Sequence, residues 1–202
     1  MLEINHPSDI LMPFTQIGEE GWEQSTHRIL LAWADNWSRE LVQAVSDLQI
    51  SELEQRLGTR LPKGLRLFYQ TFGIADIGEE LQSFDDIGWI KDSWAAAPEY
   101  GPDFTEADRK ILPKLITFSD YLGNGNMFCF HVDTYEVYYF DHDSPPYFSR
   151  LFATVDDYIR ACLIVAQADL FGADIDQTQV ESWVESRVIE LFGDDVVKKW
   201  RY

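Results

Sequence analysis

From Thr26 to Leu48 the apolar positions Ile29, Leu30, Trp33, Trp37, Leu41, Ala44, Val45 and Leu48 recur at the spacing of one helix face. This predicts a helix over 26–48, capped by Ser25 or Thr26. A short helix is expected next. Ser51 and Glu54 form a capping box, Leu53 and Leu57 face inward, and Gly58 suits a left-handed stop. A third helix opens at Leu61-Pro62, buries Leu65, Phe68, Tyr69 and Phe72, and ends at Gly73.

The period then changes. Short strands are expected around Leu81–Phe84 and Gly88–Ile90, followed by a long connection. Leu115–Phe118 reads as a strand, and Gly123-Asn124-Gly125 as a turn. Met127–Val132 alternates, with Phe128, Phe130 and Val132 on one face and Met127, Cys129 and His131 on the other. Asp133-Thr134-Tyr135 turns, and Glu136–Phe140 returns as a strand rich in Val, Tyr and Phe. Pro145-Pro146 breaks the chain before a last strand over Tyr147–Phe152. Thr154 and Asp157 open a helix that buries Val155, Tyr158, Ile159, Cys162, Leu163 and Ala166. Thr178 and Glu181 cap a final helix presenting Val180, Trp183, Val184, Val188 and Leu191, with Gly193 as its stop.

The order helices, meander, helices favours one α+β domain. The expected sheet is antiparallel or mixed, with about five or six strands. Helices pack on it, and helical extensions lie at both ends. The expected divisions are an arm and helix over 1–48, the α+β domain over 48–168 and a C-terminal helical extension over 169–202.

Composition adds one outlier. The 202 residues are 46% hydrophobic and 14% aromatic, enough for a sizeable core. The net charge, however, is −19. A chain this acidic is repelled by phosphate backbones and anionic membranes, which argues against both as partners and favours a basic protein. The acidity is concentrated. Residues 76–108 carry ten acids against Lys91, and residues 169–195 carry eight against Arg187. The N-terminus MLEINHPSD has no positive n-region and no long apolar run. The cysteines, Cys129 and Cys162, lie in apolar patterns and read as buried free thiols. A soluble cytoplasmic protein is expected.

Candidate chemistry is sparse. His131, Asp133, Asp141, His142 and Asp143 could converge on a cation, but such residues are also ordinary at turns and strand ends, and no second Cys/His pair completes a metal spacing. There is no G-x-S-x-G elbow, and adjacent acids such as Asp156-Asp157 fit a helix N-terminus better than a sugar-cleaving pair. No catalytic residue, cofactor or metal is therefore expected. The segment that stands out is acidic and studded with aromatics: Glu79, Glu80, Asp85, Asp86, Trp89, Asp92, Trp94 and Tyr100. Carboxylates there would steer a basic protein in, and the aromatic residues would anchor it.

The stretch Ile50-Ser-Glu-Leu-Glu-Gln-Arg-Leu-Gly58, then Leu61-Pro62, Leu65-x-x-Phe68-Tyr69 and Phe72-Gly73, resembles the opening of the SUKH superfamily. Ile116-Thr-Phe118, the glycine turn, Phe128-x-Phe130, Val137-Tyr138 and Asp141-His142-Asp143 look like its strand block. Phe152-Ala153-Thr154 to Ile159 resembles its closing helix. The likeness spans roughly residues 48–168. It implies a non-enzymatic protein with no catalytic residues to carry over. Its expected role is that of an immunity protein occluding a basic toxin domain such as a nuclease. The alternatives are a regulatory scaffold of the Smi/Knr type, or a small-ligand or metal-binding protein using His131, Asp133, Asp141 and Asp143.

Overall fold

A computed structural model describes residues 2–97, 103–121 and 123–201. Among them the elements run α1 (Trp22–Asn36), α2 (Asp47–Leu57), α3 (Lys63–Phe72), β1 (Glu80–Leu81), β2 (Gly88–Trp89), α4 (Glu106–Ile111), β3 (Leu115–Asp120), β4 (Met127–His131), β5 (Val137–Phe140), β6 (Phe148–Phe152), α5 (Val155–Val165), α6 (Gln177–Phe192) and α7 (Asp194–Arg201). This is the expected α+β class, with a six-stranded antiparallel sheet. No helix among the described residues is long and apolar enough to cross a membrane. The chain divides into two compact units: Met1–Val45 with Lys63–Gly78 and Asp156–Tyr202, and Ser46–Pro62 with Glu79–Val155.

The first unit is helical. Trp22 of α1 meets Phe72 of α3 edge-on at 5.5 Å, and Phe72 packs on Phe68 at 5.3 Å. The helix expected over 26–48 stops at Asn36. Trp37 forms its end, Ser38 takes φ +52°, and the chain continues exposed and outside helix or strand. The cause is tertiary. The indole N–H groups of Trp33 and Trp37 both donate to Asp169 Oδ2, at 3.3 and 3.1 Å, and Asn36 Nδ2 donates to the Asp169 carbonyl. Those bonds tie off the helix end where the apolar period alone would run on.

Gly73 closes α3 at φ +67° against the Gln43 carbonyl, where a side chain has no room. Helix α5 buries Val155, Tyr158, Ile159, Cys162 and Leu163 as expected, and Ala166 is buried just past its end. The α6 helix starts two residues early, because Asp176 accepts from Thr178 N at 2.8 Å. Leu191, expected inward, is exposed, and Val180, Val184 and Val188 form the buried stripe. The terminal α7 was not expected. Asp194 and Asp195 open it and Lys198, Lys199 and Arg201 close it, both favourable to the helix dipole, while Val196, Val197 and Trp200 are buried.

The second unit holds the sheet and α2. This helix begins at Asp47, not after Ser51. Ser46 Oγ accepts from Gln49 N and Gln49 Oε1 accepts from Ser46 N, a capping box five residues ahead of the expected one. Ser51 Oγ instead donates to the Asp47 carbonyl, and Glu54 Oε1 accepts from Leu61 N at 3.0 Å. Gly58 closes α2 at φ +70°, as expected.

The sheet order is β1-β3-β4-β5-β6, and β2 also pairs with β3. Every residue of β4 is buried, as a strand covered on both faces requires. On one face Leu115, Met127, Cys129, Phe140 and Phe148 form a core with Ile90 and Ala95, and Phe104, Ile111 and Leu112 pack against it. The described parts of the long acidic connection therefore cover the sheet, pinned by Ile90, Ala95, Phe104, Ile111 and Leu112 between its carboxylates. Cys129 and Cys162 are buried free thiols, Cys129 in the second unit and Cys162 in the first.

Candidate partner-binding groove

Strand β3 positions the site. Its register slips between Thr117 and Ser119, so Phe118 is an extra residue in the pairing with β4. Such bulges re-aim side chains and often lie beside binding sites. Two short strands share the free edge of β3. The β2 strand pairs at Thr117 and Ile116, and β1 pairs at Asp120 and Ser119. A groove of about 390 Å³ opens between them. Glu80, Asp86 and Asp120 line it together with Ser83, Ser93 and Trp94, over a floor that includes Leu81, Thr117 and Met127.

The charge arrangement runs against local stability. Glu80 and Asp120 face each other directly across the β1–β3 pair. Like charges in that position repel. Among the described residues no Lys or Arg forms an ion pair with Glu80, Asp86 or Asp120. The carboxylates are held in place by neutral donors. Ser83 Oγ donates to Asp86 Oδ2 at 2.6 Å, and Gly123 N donates to Asp120 Oδ1 at 2.6 Å. Ser119 Oγ donates to the Glu80 carbonyl at 2.9 Å, which fixes β1 against the edge.

Trp94 supplies the apolar wall. It lies in a single 3-10 turn, Trp94–Ala96, which Ser93 caps by accepting from Ala95 N. Ala95 is anchored in the core while Trp94 stays 46% exposed, its ring edge-on to Phe140 at 6.4 Å and to His142 at 6.2 Å. His142 is itself fixed, since its backbone N–H and Nδ1 both bond Asn126 Oδ1. Gly125 closes on the same pair of rings. A Cβ there would meet His142 Cε1 at 3.2 Å and the Trp94 ring at 3.6 Å.

Of the expected binding residues, Glu80, Asp86 and Trp94 come together in this groove. Asp85 and Asp92 are exposed but do not line it. Trp89 is half-buried, donates from its indole N–H to the Leu57 carbonyl at 3.0 Å, and carries Lys91 Nζ 4.8 Å above its ring. Glu79 is only 2% exposed and so offers no carboxylate to solvent. Tyr100 lies outside the described residues. Asp120, Ser83 and Thr117 were missed by sequence reading. Asp120 could not be found by spacing, because only the β1–β3 register brings it opposite Glu80.

The strand-end cluster weighed as a cation site is occupied with turn formation. His131 Nδ1 accepts from Asp133 N at 3.2 Å and from Thr134 N at 3.3 Å, so that ring nitrogen is used within the turn. Asp133 pairs with Lys114 Nζ at 2.7 Å, and that hydrogen bond holds its carboxyl below the usual range. Asp141 accepts from Asp143 N and Ser144 N. Burial pushes the Tyr139 phenol up, and its oxygen accepts from Asn126 Nδ2 at 2.8 Å.

No match was found among curated proteins. A family model does match, that of the SMI1 / KNR4 family (SUKH-1), over residues 44–161. That span takes in α2, α3, the whole sheet and most of α5. More than half of its length thus matches, including every strand of the candidate groove, and the chain belongs to the SMI1 / KNR4 family (SUKH-1) of the SUKH superfamily.

Proposed function

We propose that the chain is an immunity protein, acting in the cytoplasm, that neutralises a toxin by occluding a basic domain of it. Membership of the SUKH superfamily fits a toxin-immunity or a Smi/Knr-type role and a protein partner. One observation favours the toxin reading. Glu80, Asp86 and Asp120 line a groove with a half-exposed indole, and among the described residues no Lys or Arg pairs with them, although two of them repel across a strand pair. A protein retains such a locally unfavourable pair where something else uses it. The complement of this groove is a Lys or Arg side chain on an apolar surface, with the carboxylates taking its charge and Trp94 its methylene stem.

The target implied is a domain whose own groove is positive, the charge pattern of a nuclease. Mechanism follows from the same charges. The acidic face speeds encounter, Trp94 slows dissociation, and the bound protein covers the positive surface where nucleic acid would lie. No catalytic group enters this account.

The test is a pull-down from source-cell lysate with the full chain, run at low and high salt, beside Trp94→Ala and Glu80→Gln/Asp120→Asn. One basic protein should be retained at low salt, released at high salt and lost from both variants, and its toxicity should be blocked by the wild type. A retained partner that is acidic, or whose binding ignores salt, overturns the mechanism. A basic partner without toxic activity transfers the chain to the regulatory branch of the family.

A further inference from the structure

A second surface lies in the helical unit, largely ahead of the family match. Between α1 and α2 the eight residues 37–44 are all exposed. The segment is nevertheless held at both ends. At one end Trp37 donates to Asp169 and Arg39 pairs with Asp76, its guanidinium 5.5 Å above the Trp33 ring. At the other, Val45 N donates to the Tyr69 carbonyl at 2.9 Å. Between these pins, among the described residues, no backbone N–H or carbonyl from Glu40 to Ala44 forms a hydrogen bond. Leu41 and Val42 stand 39% and 52% exposed, and both line a groove of about 600 Å³ whose other apolar walls are Leu30, Phe72 and Ala75. Glu23 and His27 line it too.

We propose that this segment and its groove take an extended stretch of a partner polypeptide, added alongside Glu40–Ala44 as a strand. Three observations select that occupant. A backbone pinned at both ends, outside helix and strand and with successive unpaired donors and acceptors, is satisfied by an extended backbone laid along its open side. The apolar walls call for an apolar side chain from that strand. Glu23 in the groove and Glu40 beside Leu41 have no ion-pair partner among the described residues, which selects Lys or Arg at the flanking positions. A second copy of this chain is disfavoured on the same ground, because each carries a net charge of −19. This surface is distinct from the groove around Trp94 and does not depend on it.

The experiment selects binders from a random-peptide display library on the immobilised full chain and measures amide hydrogen exchange with the best synthetic peptide. Enriched peptides should carry an apolar residue flanked by Lys or Arg. They should bind Val42→Asp about tenfold more weakly than wild type, the loss of one apolar contact, and bind Trp94→Ala equally well. In the free chain the amides of Glu40–Ala44 should exchange rapidly, and in the complex they should slow. Enrichment no greater than on a Leu41→Asp/Val42→Asp variant overturns the proposal, as does equal binding to Val42→Asp. So does slow exchange of these amides in the free chain, whether from internal bonding or from a dimer seen by sedimentation.

Discussion

Glu80 opposes Asp120 across two strands and forms no ion pair among the described residues, so its charge costs the fold something. Glu80→Gln should raise stability by about 0.2–1 kcal/mol in a denaturant melt, the usual size of a cross-strand charge effect, while weakening capture of the proposed basic partner. Opposite signs in the two measurements would mark the carboxylate as kept for binding. Equal or lower stability would remove that argument. Asp156 shows a different charge penalty. Its Oδ2 accepts from Ile17 N at 3.0 Å and its other oxygen lies against Gly64, where no Cβ fits. Burial holds its carboxyl above the ordinary value, with Asp157 adding to the effect. The folded chain therefore binds this proton more tightly than the unfolded one. The penalty is absent below the unfolded value, grows as pH rises through the folded one, and is complete above it. Asp156→Asn retains an oxygen for Ile17 N, so its melting temperature should exceed that of wild type near pH 7 and match it near pH 3. A gap that does not close in acid would refute the assignment. Both effects were hidden in the sequence, where Asp156-Asp157 reads only as a favourable helix start.

At the scale of elements, legibility followed the range of the forces. Helix α3 was read correctly because its buried stripe, Leu65, Phe68, Tyr69 and Phe72, and its Gly73 stop are local signals. The strands over 115–152 were read nearly to the residue for the same reason. The end of α1 was not, because it is set by Asp169, more than a hundred residues away in sequence. The start of α2 was legible and overlooked. Ser46 and Gln49 stand three apart, but the apolar period from Trp37 to Leu48 ran across them. Ser46→Ala should cost about 1 kcal/mol in a denaturant melt, and Ser51→Ala much less, since only Ser46 caps the helix. The groove was half legible. The acids and Trp94 announce a charged aromatic surface, whereas Asp120 and the bulge at Phe118 become visible only with the register.

At the scale of the molecule, the net charge of −19 governs association more than folding. Association with the proposed basic partner should slow steeply with added salt in stopped-flow mixing while dissociation changes little. A salt effect confined to dissociation would count against electrostatic steering. The two thiols have a consequence of another kind. Cys129 lies at the centre of the sheet, where burial drives its ionisation far up, and Cys162 lies inside α5, 1% exposed. Neither can react with an alkylating reagent until its surroundings open, and the two belong to different compact units. The wild-type chain thus carries a natural pair of clocks. Pulsed alkylation read peptide by peptide would time the opening of the helical unit through Cys162 and of the sheet unit through Cys129. Equal rates would mean the chain unfolds in one step, and unequal rates would name the half that yields first.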